Sequence, residues 1–368
     1  MPGQILARLA ACVVATFVLA GPTRVDGQGT SPAPGRAAPR ILLYHDMEGM
    51  AGEDDWRMFV YAHREQYARG RELLVSDVNA VIDGLFAGGA SAVDVVDAHG
   101  SGNPEPDIPA AALDRRARQV LRDRPFRQYV DLVEPNAYDA VVCVAMHSKS
   151  GSRGFAAHTY TLGIELLIND RPITETELIG FSWGRVGVPV IFASGDDRLA
   201  ADLATMPWIE FATVKRATSA STVELRPVGE ARADLRERAR RAVERFRAGQ
   251  ARVMTLASPV RAAVRVRPPA SLGVLRGVPG VTYADERVDF TASDFGAAYD
   301  GMIALVGVAT TAYPRVLQET LSRSAEGRAV MAAYSDSLFT RWLDYESGRW
   351  VPAPAQPAPA GRRYHGAR

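Results

Sequence analysis

The stretch from Tyr44 to Gly49, YHDMEG, follows the apolar run ILL and sets two carboxylates, Asp46 and Glu48, two positions apart where a buried strand should end. Two other apolar runs close in the same way, VDVVDAH on His99 and VVCVAMH on His147. An isolated histidine at a strand end is more often a structural residue than a ligand. Three strand candidates that all terminate in metal-binding side chains form a pattern which the structural reading does not explain. Carboxylate oxygens combined with imidazole nitrogens suit Zn(II), with Mn or Co as substitutes. Carboxylates gathered without a cation repel one another and raise their own pKa values, so a dication is the economical reason for the cluster. Two further residues join by position. His158 follows His147 through the loop SKSGSRGFAA, and Glu175 follows INDRP, where Asn169, Asp170 and Pro172 read as a tight turn.

Such residues act together only if the fold brings the strand ends to one edge. From Ile41 onward apolar strands alternate with helical patterns: RILLYHD, then Glu65 to Phe86 with Leu73, Leu74, Val78, Val81, Ile82 and Leu85 on one face, then SAVDVVDAH, YDAVVCVAMH and VPVIFASGDD. The alternation predicts an α/β fold, a mostly parallel central sheet flanked by helices on both faces. Ligands of such sheets collect beyond the carboxyl ends of the strands, where the candidate residues fall. A smaller mixed α+β part follows. In it Gly229 to Arg247 is a charged helix with Leu235, Ala239, Val243 and Phe246 as its buried stripe. VRAAVRVRP alternates like a half-buried strand, with Arg265 and Arg267 outward, and Tyr299 to Ala312 and Gly327 to Tyr345 look helical. Asp196 and Asp197 suit a helix cap better than a cleft, and Cys143 in AVVCVAM reads as a small buried hydrophobe.

With 47% hydrophobic residues the chain can bury a large core, and with a net charge of +1 it has no global field to recruit nucleic acid. A short peptide or another small molecule is the expected partner. Arg8, the apolar run LAACVVATFVLA and the small residues Ala20 and Gly21 read as a signal peptide over residues 1–20, cleaved between about 20 and 30. The run is shorter than the roughly 20 apolar residues of a membrane span. The expectation is an exported protein, periplasmic or extracellular, with no membrane attachment after cleavage. Only Cys143 then remains, so no internal disulfide is expected. Residues 28–39 read as a flexible linker, 40–315 as the main domain, 316–350 as a helical extension and 351–368 as a Pro/Ala tail that cannot pack a core.

The stretches DMEGMAG, YARGRELL, DAHG, MHSKSGSRGFAAHT, INDRPITETEL and VPVIFASGDD resemble, in order and rough spacing over residues 40 to 312, the D-aminopeptidases of peptidase family M55. The resemblance implies a catalytic main domain with two zinc ions per subunit. Asp46 would bridge the ions, Glu48 and His99 would complete one, and His147 and Glu175 the other. His158 would be the catalytic residue, as general acid/base or, less economically, as nucleophile. The implied activity is removal of the N-terminal residue from short peptides containing D-amino acids, D-Ala first, by metal-activated water. The implied assembly is a homo-oligomeric ring. Lys149, in HSKSG, lies between two proposed site residues and would meet a substrate carboxylate. Two features depart from the family pattern. His45 stands where that pattern is apolar, and strand alternation points it away from Asp46 into a structural role. In VKRATSAST, Ser219 or Ala220 falls where the family carries an Arg, which would alter specificity or assembly if that Arg binds substrate or a neighbouring subunit. The alternatives are another dinuclear metallohydrolase, an amidase or phosphoesterase, and a catalytically inactive peptide-binding protein of the same fold.

Overall fold

The computed structural model describes residues 28–121, 127 and 129–351. The expected signal peptide, and the tail beyond Val351, lie outside the described residues. In chain order the first half comprises β1 (Gln28–Pro32), β2 (Arg40–His45), α1 (Arg64–Ala87), β3 (Ala92–Asp97), β4 (Arg118–Val120), β5 (Ala140–Val144), β6 (Ile164–Ile168), β7 (Arg171–Pro172) and α2 (Glu175–Gly184). There follow β8 (Val190–Asp196), α3 (Asp197–Asp202), β9 (Glu210–Ser219), β10 (Thr222–Leu225), α4 (Val228–Arg247), β11 (Arg252–Leu256) and β12 (Val260–Val266). The chain closes with β13 (Thr282–Ala284), β14 (Arg287–Ala292), α5 (Phe295–Ala309), α6 (Tyr313–Leu321) and α7 (Ala325–Glu346).

The main sheet has the order β10-β9-β8-β5-β2-β3-β4 and is parallel except for the edge strand β10. Its central strand β2 buries Ile41, Leu42, Leu43 and Tyr44 completely. Burial of successive residues requires cover on both faces, as expected for a parallel strand. Helices α1 and α4 pack together with the stripes Leu74, Val78, Val81, Ile82 and Leu85 on one and Leu235, Ala239, Val243 and Phe246 on the other. Their backbones approach so closely at Gly84 that a Cβ there would lie 2.1 Å from the Arg236 carbonyl oxygen. Helix α2 opens with a capping box between Thr174 and Glu177, and its buried Trp183 donates Nε1–H to the Tyr44 hydroxyl at 3.1 Å.

The register sets up the site. His45 of β2 lies opposite Asp97 of β3 and Val144 of β5, so three neighbouring strands end level with one another. The turn after β2 then crosses the start of the loop after β5. Gly49 N–H donates to the Ala145 carbonyl at 2.9 Å.

Two expectations need correction. The segment read as a linker forms β1 over Gln28–Pro32, which pairs antiparallel with β11 from Gln28 opposite Leu256 to Pro32 opposite Arg252. All five residues of β1 are exposed, so no apolar pattern announces the pairing, which rests on the backbone ladder and a hydrogen bond from Arg252 to the Thr30 hydroxyl at 2.7 Å. The smaller β part is also not confined to the C-terminal half. Its antiparallel sheet, β13-β14-β12-β6-β7, draws β6 and β7 from the segment between β5 and β8. At its centre Arg265 of β12 lies opposite Glu165 of β6 and makes an ion pair with it at 2.6 Å. By length and composition the helical run Phe295–Leu321 could cross a membrane. In this fold α5 instead buries Ala298, Tyr299, Met302, Leu305 and Val306, packing on β12 and β14 as a core helix.

The close approach at the turn after β2 gives a test. A Cβ on Gly49 would lie 2.0 Å from the Met146 carbonyl oxygen, whereas one on Gly229 in the first turn of α4 meets nothing within 4 Å. Gly49→Ala should destabilise the protein by about 1–3 kcal/mol, measured by denaturant unfolding. Gly229→Ala should be neutral or stabilising by up to about 1 kcal/mol.

Candidate metal centre

The residues just past β2, β3 and β5 meet at one point. Asp46 continues the pairing of β2, its N–H donating to the Val144 carbonyl at 2.9 Å. The Met47 N–H lies between the two carboxylates, 3.0 Å from Asp46 Oδ1 and 3.2 Å from Glu48 Oε2, and holds both on the same side of the turn. His99 follows β3, its Nδ1 2.8 Å from Asp46 Oδ1 and 3.3 Å from Glu48 Oε2. His147 follows β5, its Nε2 3.5 Å from Asp46 Oδ2 and 3.3 Å from Glu175 Oε1. Glu175 enters from the first turn of α2, where Glu175 Oε1 accepts from the Tyr160 N–H at 2.6 Å and Glu175 Oε2 from the Tyr129 hydroxyl. His158 completes the group. Its ring stacks on His147 with centroids 3.9 Å apart, and its Nε2 lies 3.9 Å from Glu48 Oε1.

Each histidine is oriented by a carbonyl on its far side. The ring nitrogens His99 Nε2, His147 Nδ1 and His158 Nδ1 face the carbonyl oxygens of Phe59, Ser148 and Ala156 at 2.8, 3.0 and 2.8 Å. A carbonyl only accepts, so these nitrogens carry the hydrogen, and in the neutral rings the opposite nitrogens present lone pairs to the centre.

Two ligand triads share one residue. Asp46, Glu48 and His99 offer atoms all within 4.8 Å of one another, as do Asp46, His147 and Glu175. Asp46 Oδ1 faces the first triad and Asp46 Oδ2 the second, so the one carboxylate could serve both ligand groups. Glu48, His147 and His158 form a third close group. The donor set is oxygen and nitrogen from buried side chains, and the buried His147 Nε2 has no hydrogen-bond partner, so the residues present fit a metal of the zinc type.

The electrostatics show which charge the cluster favours. Burial pushes the His99 imidazole down, but Glu48 and Asp46 outweigh it and hold the ring well above the usual imidazole range. Burial likewise opposes protonation of His147, which Glu175 and Asp46 raise well above that range. Asp46, despite burial, is held well below the usual carboxylate range by the imidazoles of His147 and His99 beside it. Without a cation, protons on the two histidines supply the positive charge that the carboxylates require. His158 behaves differently. Burial and the neighbouring His147 both push it below the ordinary value, so it stays neutral, and at 14% exposure its side chain is the most accessible of the three rings.

The six residues expected to hold metal or transfer protons therefore converge. Lys149 does not join them: its ammonium pairs with Asp202 at the end of α3. Asp196 caps α3 by accepting from the Leu199 N–H at 2.8 Å, and Asp197 accepts from the Ala217 N–H at 2.7 Å. His45 and Cys143 are buried, and burial raises the Cys143 thiol. Sequence reasoning missed the supports. Tyr129 lies in a stretch with no periodicity, and the Phe59 carbonyl has no sequence signal. Lys215 left no clear signal either: in β9, EFATVKRATS, it stands beside the exposed Arg216, and only the fold shows that Lys215 is the buried one of the two.

Known proteins place this architecture. A D-aminopeptidase of Bacillus subtilis (strain 168) is 29% identical over 188 residues, covering 50% of this chain and 66% of that protein. The solved structure of the Zn-dependent D-aminopeptidase DppA from Bacillus subtilis, described as a self-compartmentalizing protease, superposes with a TM-score of 0.65 at 23% identity, covering 74% of this chain and 98% of that one, a likeness of fold. The M55 peptidase family model, described as D-aminopeptidase, matches residues 40–304. With that match spanning both triads and the sheet that carries them, the chain belongs to the M55 D-aminopeptidase family.

Proposed function

We propose that this chain is an exported aminopeptidase that binds two zinc ions and removes the N-terminal residue of short D-amino-acid-containing peptides, D-Ala first. The observation that carries the reading is the sharing of Asp46 between two triads, with a neutral histidine stacked beside them. Zinc bound there would polarise the scissile carbonyl and lower the pKa of a coordinated water. The protein's own part is proton transfer. His158 Nε2 takes a proton from the attacking water and delivers it to the leaving amine, while Nδ1 stays bonded to the Ala156 carbonyl and fixes the tautomer. The Glu48 carboxylate, 3.9 Å from Nε2, stabilises the imidazolium between the two transfers.

Export rests on the N-terminal pattern around Arg8. Assembly into a homo-oligomer is supported by the self-compartmentalizing character of the B. subtilis protein. It is also supported by the large apolar side chains that α6 and α7 leave in water, among them Leu317, Tyr334, Phe339 and Trp342, each more than half exposed.

Paired assays on D-Ala-D-Ala, L-Ala-L-Ala and a phosphodiester test the reaction class. Turnover of the D-peptide above the others supports the reading, and phosphodiester hydrolysis in its place would replace it. His158→Ala should keep its zinc and fold but lose on the order of 10²- to 10⁴-fold in kcat. His147→Ala should lose zinc as well, by metal analysis.

A pH series on the metal-free and zinc-loaded protein tests the electrostatics. In the metal-free fold His99 and His147 titrate above their unfolded values, so the stability they contribute is complete below about pH 6.5 and is lost as pH rises through the raised values. Asp46 is depressed, so its contribution is present above the unfolded carboxylate value and lost as pH falls through the folded one. The difference in Tm between loaded and metal-free protein should therefore widen as pH rises, because zinc replaces the protons. A difference independent of pH would contradict the charge account.

A further inference from the structure

Strand β9 carries Lys215 into the interior, where its side chain is fully buried. Its Nζ donates to Glu53 Oε2 at 2.5 Å and to the main-chain carbonyl of Glu48 at 2.7 Å. The same ammonium lies 4.4 Å from the centroid of the Phe155 ring, within range of a cation–π contact. Phe155 belongs to the loop that bears His158, and its N–H donates to Asp196 Oδ2 at 3.0 Å. Its ring also meets Phe59 edge-on at 6.4 Å, and the Phe59 carbonyl is the group that orients His99. One ammonium thus touches the turn that supplies Glu48, the segment that follows it, and the loop that supplies His158.

An ammonium offers three donors and no acceptor, and here they face the Glu48 carbonyl, the Glu53 carboxylate and, at 3.5 Å, the Glu53 main-chain carbonyl, with the Phe155 ring beside them. Buried ion pairs are poor stabilising devices because desolvation offsets their attraction. Glu53 shows this: burial pushes its carboxyl up to about 8 despite the ammonium beside it. What the pair supplies is position. Fixing the Glu48 carbonyl fixes the direction in which the Glu48 side chain leaves the backbone, and holding Phe155 holds the loop three residues before His158.

We propose that Lys215 is a positioning residue that keeps the Glu48 ligand and the His158 loop in register, without touching metal or substrate. This rests on the dizinc peptidase reading above. The test is the double variant Lys215→Met/Glu53→Gln in the full chain, which removes the ammonium together with the carboxylate it would otherwise leave unpaired. The variant should fold with a wild-type circular dichroism spectrum. In chelator competition it should hold zinc more weakly by on the order of 10- to 100-fold. At saturating zinc its kcat should fall by a comparable factor with KM little changed. Wild-type chelator competition and kcat in this variant would overturn the proposal and leave Lys215 only as the partner of Glu53. Should the double variant not fold, Phe155→Leu decides, since it leaves the ion pair in place: the expected result is a lower kcat with wild-type zinc retention, and an unchanged kcat overturns the proposal. Wild-type protein that binds zinc but cleaves no peptide would count against the function, and the chelator comparison would still judge Lys215.

Discussion

Three carboxylates, Asp46, Glu48 and Glu175, lie together almost out of water, each 4% exposed or less, and the structure around them follows from that constraint. Buried anions without a counter-charge are strongly unfavourable. The metal-free protein meets the demand with raised histidines, a compromise because each imidazole must itself be desolvated to serve. Divalent cations would satisfy it directly, and the strand ends bring the ligands together. β2, β3 and β5 finish level, the Met47 N–H turns both Asp46 and Glu48 to the same side, and three carbonyls orient the three histidines.

Within this cluster the roles divide by environment. His99 and His147 are nearly inaccessible and pressed between carboxylates, which suits ligands. His158 is more exposed, carries its polar partner on the backbone, and is pushed toward the neutral form by its neighbour. A neutral ring beside water can accept a proton and return it, whereas a ring bound to a cation cannot. In the proposed reading, the stacking of His158 on His147 would link a metal-holding residue to a proton-transferring one without making them equivalent.

Much of this was readable from the sequence, for a physical reason. Parallel strands buried on both faces write continuous apolar runs, and a charged or imidazole side chain at the end of such a run is conspicuous, as with Asp46, His99 and His147. The helix stripes of α1 and α4 were visible by the same logic. What stayed hidden depends on the backbone or on distant partners. β1 pairs without any buried apolar residue, and β6 joins its sheet by meeting β12 almost a hundred residues later. The carbonyl of Phe59 orients His99 without leaving any trace in residue type. Lys149 shows the reverse error: a cation beside the site in sequence turned instead to Asp202, because the nearest carboxylate in space was on α3.

The central claim is that Asp46 is shared between two metal positions. Its most direct test is an anomalous difference map at the zinc absorption edge from crystals of the zinc-loaded protein. The account predicts two peaks about 3.5–4 Å apart, one beside Asp46 Oδ1 with Glu48 and His99, the other beside Asp46 Oδ2 with His147 and Glu175. A single peak bound by Glu48, His147 and His158, or two peaks that do not share Asp46, would contradict it.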